Sequence, residues 1–200
     1  MHVSSSLPLS EPPPLALRKL SCEVDGRVVP LALWLPVSAR PSPLLLVGHG
    51  GSGHKASSFV TDLLDPLVRQ RGIAVAAIDG PVHGDRRSTP ASPEATRDEF
   101  RALWDAGGSV EPMVADWRAA IDTLCAFREI DATALAYYGL SMGTAYGLPL
   151  LAVEPRIRAA VFGTFNENRQ TDALERFLTP MNARALRVSL RRLFGPRATG

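Results

Sequence analysis

Residues 133–143 read TALAYYGLSMG, a short apolar run that ends in Gly139-Leu140-Ser141-Met142-Gly143. A continuous apolar run of this length suits a strand buried on both faces of a parallel sheet. The G-x-S-x-G that follows would arise by chance in about one 200-residue chain in fifteen, so its weight comes from its setting. Here it follows a buried strand and opens a helix. Such a tight turn holds the serine in strained backbone geometry and lifts its oxygen over the sheet edge. Small residues two before and two after let neighbouring backbone approach. The helix N-terminus behind the serine favours negative charge. The pattern points to Ser141 as a nucleophile.

A second stretch, LLLVGHGGSGHKAS at 44–57, breaks from an apolar run into a loop with four glycines. Such a loop brings backbone N–H groups close to something negative. A phosphate-binding loop reads G-x-x-x-x-G-K-[ST]. Gly48 and Gly53 have that separation, but His54 precedes Lys55 and Ala56 follows it. Acyl transfer instead needs N–H donors for a tetrahedral oxyanion. One comes from the residue after the nucleophile, here Met142, and the other from the loop after the third strand, where Gly51 is the expected donor. The serine turn and the glycine loop account for each other.

Around these motifs strands and helices alternate. LSCEV (20–24) and VVPLALWLP (28–36) read as strands around a DG turn, and PLLLVGH (43–49), IAVAAID (73–79), TALAYYG (133–139) and IRAAVFG (157–163) as buried strands. Residues 59–72 read as a helix that Pro66 interrupts, 93–106 as a short helix, and 110–129 as the clearest helix. Pro112 suits its first turn, and Val114, Trp117, Ile121 and Leu124 form its apolar stripe. Gly147 and Pro149 make the segment after Ser141 irregular. The fold class expected is α/β, a mainly parallel sheet flanked by helices. Ligands in such sheets bind beyond the C-terminal strand ends, which gathers the loop at 49–55, the loop from Asp79 and the turn after Gly139.

Composition sets the remaining bounds. The chain of 200 residues is 46% hydrophobic and only 6% aromatic, enough for one domain with a largely aliphatic core. A net charge of +2 argues against a general nucleic-acid binder. Residues 1–14, rich in serine and proline, read as a mobile arm, and residues 15–165 as the core. Residues 166–200 form an atypical tail with seven arginines and three acids, the last at Glu175. In the tail, Leu186, Leu190 and Leu193 with Arg184, Arg187, Arg191 and Arg192 outline a short basic amphipathic helix, read as a solvated tail. Cys22 and Cys125 have neither disulfide-framework nor metal-ligand spacing and suit a reducing compartment. No signal peptide or apolar run long enough to span a membrane is evident, so a cytoplasmic location is expected. Trp34, Trp104 and Trp117 read as core or pocket wall, and Lys55 as a surface lysine or a cap on its loop.

With HGGSGHK (49–55), IDGPVHGDRR (78–87) and YGLSMG (138–143) in this order, the chain resembles the α/β-hydrolases, and among them the dienelactone hydrolase-like esterases. The resemblance covers about residues 20–165. It implies a serine hydrolase acting on a carboxylic ester, lactone or thioester, with Ser141 as nucleophile and the Gly51 and Met142 N–H groups as oxyanion hole. His49, Asp79 and His83 lie on loops that support the site. It implies a small-molecule ester substrate and no metal or organic cofactor. Dienelactone hydrolase itself uses cysteine at the turn, so its lactone substrate does not carry over.

One departure governs the activity. In this fold an acid and then a histidine follow the serine, whereas His2, His49, His54 and His83 all precede Ser141. Six strands can be counted, ending near Gly163. Three readings stand open: a C-terminally incomplete or frame-shifted hydrolase, a base supplied by His83, or a non-catalytic small-molecule-binding relative. A sheet ending at 157–163 would expose an apolar edge and favour self-association.

Overall fold

A computed structural model describes residues 15–163. The N-terminal arm and the arginine-rich tail, with its amphipathic leucine pattern, lie outside the described residues. Six strands form one sheet: β1 (Leu17–Val24), β2 (Arg27–Trp34), β3 (Ser42–Gly48), β4 (Ala74–Ile78), β5 (Ile130–Leu140) and β6 (Ile157–Gly163). Their order is β1-β2-β4-β3-β5-β6. β1 and β2 form an antiparallel hairpin and β2 runs antiparallel to β4, while β4, β3, β5 and β6 run parallel to one another. The hairpin turns at Asp25 and Gly26, both at positive φ, as a tight two-residue connection requires.

The side-chain period of two along each strand feeds two cores. Leu31, Leu33, Leu46, Ala76 and Ile78 face helices α3 (Val110–Cys125) and α4 (Met142–Val153), where Trp117, Ile121, Leu124, Tyr146 and Leu150 cover them. Their neighbours Ala32, Trp34, Val47, Val75 and Ala77 face the other side, under Val60, Leu64 and Val68. Those three belong to the short α1 (Ser58–Thr61) and a π-helical turn at Leu64–Arg69. The helix expected over 59–72 is thus split at residues 62–63, ahead of Pro66, which sits inside the π-helical turn. Pro149, in contrast, is buried inside α4, which continues to Val153. The clearest helix stops at Cys125, four residues before its expected end. Turn bonds at Phe127 then lead into β5, which begins at Ile130.

Helix α2 (Pro93–Ala106) has the bounds its sequence suggests. The Ser92 side chain accepts the Ala95 N–H, Pro93 occupies the first turn, and Gly107 at φ +76 ends it. Trp34 and Trp117 are buried in the two cores, and Trp104 is half-buried on α2. Cys22 and Cys125 are half-buried free thiols, each raised above its ordinary pKa by burial. Among the described residues β6 is an outer strand, with Val161 64% exposed. No described helix is long and apolar enough to cross a membrane.

Candidate active site

The turn between β5 and α4 is built from close backbone contacts. Ser141 sits at φ 51 and ψ −109, a strained conformation for a residue with a Cβ. A Cβ on Gly143 would stand 2.1 Å from the Gly48 carbonyl oxygen, and one on Gly139 would stand 2.7 Å from the Gly143 oxygen. Both positions therefore need glycine for the turn to close against β3. The buried Tyr137 hydroxyl donates to the Gly143 oxygen at 2.7 Å. Burial raises that phenol far above its ordinary pKa, so it stays a donor. Thr144 and Ala145 give their N–H groups to the Ser141 carbonyl and start α4. Ser141 itself makes no side-chain capping bond and is half-buried. Met142 is the first residue of α4, so its N–H has no acceptor within the helix.

The glycine loop lies beside this turn. A Cβ on Gly50 would be 3.8 Å from the Ser141 Cβ. The loop closes with a Gly53 N–H to Gly50 carbonyl bond, which leaves the Gly51 N–H without an acceptor among the described residues. His49, 1% exposed, accepts the Gly80 N–H on Nε2 at 2.9 Å. Its Nδ1 must then carry the proton, and donates to the Gly50 oxygen at 2.8 Å. Burial pushes the His49 pKa down to about 4, so the ring is neutral. It ties the loop to the end of β4.

His83 makes a second tie. It is fully buried, with Nδ1 2.5 Å from the Pro81 oxygen and Nε2 2.9 Å from the Gly51 oxygen. Both nitrogens face carbonyl oxygens, an arrangement unsuited to accepting a proton from Ser141. His49 and His83 meet edge to face at 5.2 Å. Exposed His54 accepts the Ala56 N–H on Nδ1.

Asp79 is the third tie. Its buried carboxylate accepts the Lys55 N–H at 2.8 Å, the Lys55 ammonium at 2.6 Å and the Asp85 N–H at 2.9 Å. Lys55 reaches Asp85 as well, at 2.7 Å, and holds that carboxyl below its usual range. Of the two readings of Lys55, the surface one is corrected and the loop-capping one fits: it is 6% exposed, and its ammonium lies between two carboxylates. Gly84 sits at φ +50 against this group, where a Cβ would fall 2.3 Å from an Asp79 oxygen. A further buried acid, Asp116, pairs with Arg27 at 3.0 Å and Arg86 at 2.6 Å, joining β2, the loop after β4 and α3. The sequence reading did not single it out, since Asp116 lies inside a helix pattern with no partner nearby in the chain.

The loop, the β4 end and the serine turn therefore meet at the C-terminal ends of β3, β4 and β5. Ser141, Gly51, Met142, His49, Asp79 and His83 belong to this one region. Gly51 also lies against α2, 3.5 Å from a Phe100 ring carbon when measured from a Cβ placed on the glycine. Among the described residues no group of three or more His, Cys, Asp or Glu could hold a metal ion.

No protein-family model matches the sequence. The chain is 28% identical over 161 residues to the 2,6-dihydropseudooxynicotine hydrolase of Paenarthrobacter nicotinovorans, covering 80% of this chain and 38% of that protein. Among solved structures, a cold-adapted esterase from an Arctic intertidal metagenomic library is 36% identical. It superposes with a TM-score of 0.66, over 80% of this chain and 66% of the esterase. The crystal structure of the 2,6-dihydroxy-pseudo-oxynicotine hydrolase is 27% identical with a TM-score of 0.51, over 72% of this chain and 35% of that one. The chain thus spans less than half the length of the curated relative it matches.

Proposed function

The chain belongs to the α/β-hydrolases, and from that premise we propose that it hydrolyses a carboxylic ester with Ser141 as nucleophile. The Ser141 oxygen attacks the ester carbonyl. The carbonyl oxygen becomes an oxyanion that accepts from the Gly51 and Met142 N–H groups, donors that need no reorganisation as the charge develops. Collapse breaks the ester C–O bond, and the alcohol leaves carrying the proton given up by the Ser141 hydroxyl. Water then cleaves the acyl-serine, its hydroxyl going to the released acid and its proton back to Ser141. The observation that carries this reading is Ser141 at φ 51, on a turn that Gly139 and Gly143 let close, beside a loop whose Gly51 N–H has no acceptor among the described residues.

His49, Asp79 and His83 act here by position. Each ties the glycine loop or its flank to the end of β4, which keeps the Gly51 N–H in place. None of the described histidines is offered as the base. His49 and His83 have both nitrogens engaged, and exposed His54 bonds within its own loop. That same observation favours a second reading, a small-molecule-binding relative that keeps the serine turn without turnover.

A fluorophosphonate probe separates the two. Rapid labelling mapped to Ser141, absent in Ser141→Ala, is the result expected of the hydrolase. Folded protein that stays unlabelled and cleaves neither 4-nitrophenyl acetate nor butyrate would overturn it in favour of the binding reading.

A further inference from the structure

Helix α2 enters the chain between β4 and α3 and buries a single residue, Thr96. Arg97, Phe100 and Trp104 are spaced i, i+3 and i+7, which puts them on one helical face. That face meets the glycine loop. From a Cβ placed on Gly51, Phe100 Cδ1 is 3.5 Å away and Arg97 Cγ is 4.0 Å away. The Phe100 ring lies 5.8 Å from His83, 6.0 Å from Trp104 and 6.2 Å from Tyr146, and Trp104 lies 5.5 Å from Tyr146 at a steep angle. The core holds Tyr146 fully buried, yet Phe100 and Trp104 stay half-buried. Phe100 therefore remains partly open next to the Gly51 group that receives the carbonyl oxygen, with half-buried Trp104 6.0 Å beyond it.

The charge beside them is also open. Arg101 on the same helix has Asp98 at 3.9 Å, and Glu99 pairs with Arg87. Arg97 is exposed, and among the described residues it has no carboxylate within ion-pair distance; Glu94, one turn earlier, attracts it only at longer range. Among the described residues, the edge of the site thus carries a guanidinium outside any ion pair, on the same helical face as Phe100.

We propose that Arg97, Phe100 and Trp104 form the substrate-recognition wall of this site and select an ester that carries an aromatic ring with a carboxylate on it. The proposal rests on the Ser141 reading for where the ester carbonyl sits. Aromatic rings prefer offset or edge-to-face contact, which a saturated ring of equal size cannot supply. A guanidinium matches a carboxylate with parallel N–H donors. The ring contact is worth up to about tenfold in affinity. The charge contact, being exposed, is worth about threefold and weakens with salt.

Binding to Ser141→Ala protein, measured by calorimetry, tests this without turnover. The probes are 4-acetoxybenzoate, its neutral counterpart 4-acetoxybenzamide, and trans-4-acetoxycyclohexanecarboxylate. The expected order places 4-acetoxybenzoate about fivefold to tenfold tighter than the cyclohexane and about threefold tighter than the amide. In this background Phe100→Leu should erase the preference for the aromatic ring. Arg97→Gln, a surface change that leaves packing intact, should erase only the preference for charge, as should about 0.5 M salt. Equal binding of the three probes, or preferences that survive both substitutions, would overturn the proposal. Selective binding by wild-type protein that neither cleaves 4-acetoxybenzoate nor takes the fluorophosphonate would sink the hydrolase reading and leave the recognition wall standing.

Discussion

The buried imidazole of His49 should make stability depend on pH within a defined window. Nε2 takes the Gly80 N–H and Nδ1–H gives to the Gly50 oxygen, so only the neutral ring fits its partners. Burial is the main cause that lowers its pKa from 6.5 to about 4, with the nearby His83 and His54 adding to it, against the pull of the Gly50 carbonyl and Asp79. The unfolded chain takes up a proton on this ring near pH 6.5, while the folded chain refuses it until about pH 4. Stability from this group is therefore complete above pH 6.5 and is lost as the pH falls through about 4. The gap between the two values is worth about 3 kcal/mol.

His49→Gln isolates this contribution. Its amide oxygen can still accept the Gly80 N–H, but nothing titrates and the Gly50 oxygen loses its donor. We predict that the variant is less stable than wild type by about 1–2 kcal/mol at pH 7.5. Its stability should fall about 3 kcal/mol less across the acid window, so the two curves cross between about pH 5 and 6. Urea unfolding at half-unit pH steps measures both curves, and the His49 ring proton followed by NMR gives the folded-state titration. Parallel curves, or a folded-state ring that titrates near 6.5, would refute the reasoning.

Two further outcomes follow from the packing. Lys55→Met leaves the Asp79 carboxylate buried without its cation and should cost about 3–5 kcal/mol, part of which a second change, Asp79→Asn, restores. A loss below about 1 kcal/mol in thermal or urea unfolding would mean that the pair does not hold the loop. Gly143→Ala drives a Cβ into the Gly48 carbonyl oxygen, and neither backbone can yield cheaply. It should unfold the chain or lower its stability by more than about 3 kcal/mol, and a wild-type melting temperature would contradict the close approach of β3 and α4.

Local signals carried the fold a long way. Buried strands show as apolar runs because both sheet faces are covered, and the clearest helix between them shows through helical spacing. The errors fall where local and tertiary forces compete. The apolar stripe of residues 110–129 ends at Leu124, and the chain turns after Cys125 to deliver Ile130 into the sheet, so the expected end ran four residues long. Pro149 disrupts a helix by itself, yet α4 is packed on β5, β3 and α3, and that burial outweighs one lost N–H. The site was legible to a similar depth. Serine and glycine motifs report backbone geometry, and backbone geometry is what a turn of four or five residues encodes.

Partnerships between distant residues were not legible. Lys55 looked like a surface lysine because an ammonium is nearly always solvated; only the meeting of β3 and β4 brings Asp79, 24 residues away, to within 2.6 Å of it. Two histidines near a nucleophile suggested either support or base chemistry, and the choice lies in which way each ring nitrogen points. Phe100 belongs to no motif, and its place beside the glycine loop appears only when α2 is seen against Gly51. The sequence by itself determined the strand-turn-helix at Ser141, the glycine loop and the layered α/β class, since each follows from short-range sterics and the period of apolar residues. The tertiary structure alone decided which buried charges are paired, which imidazoles are occupied and which helix face lies against Gly51, because those depend on contacts between segments that sequence spacing does not record.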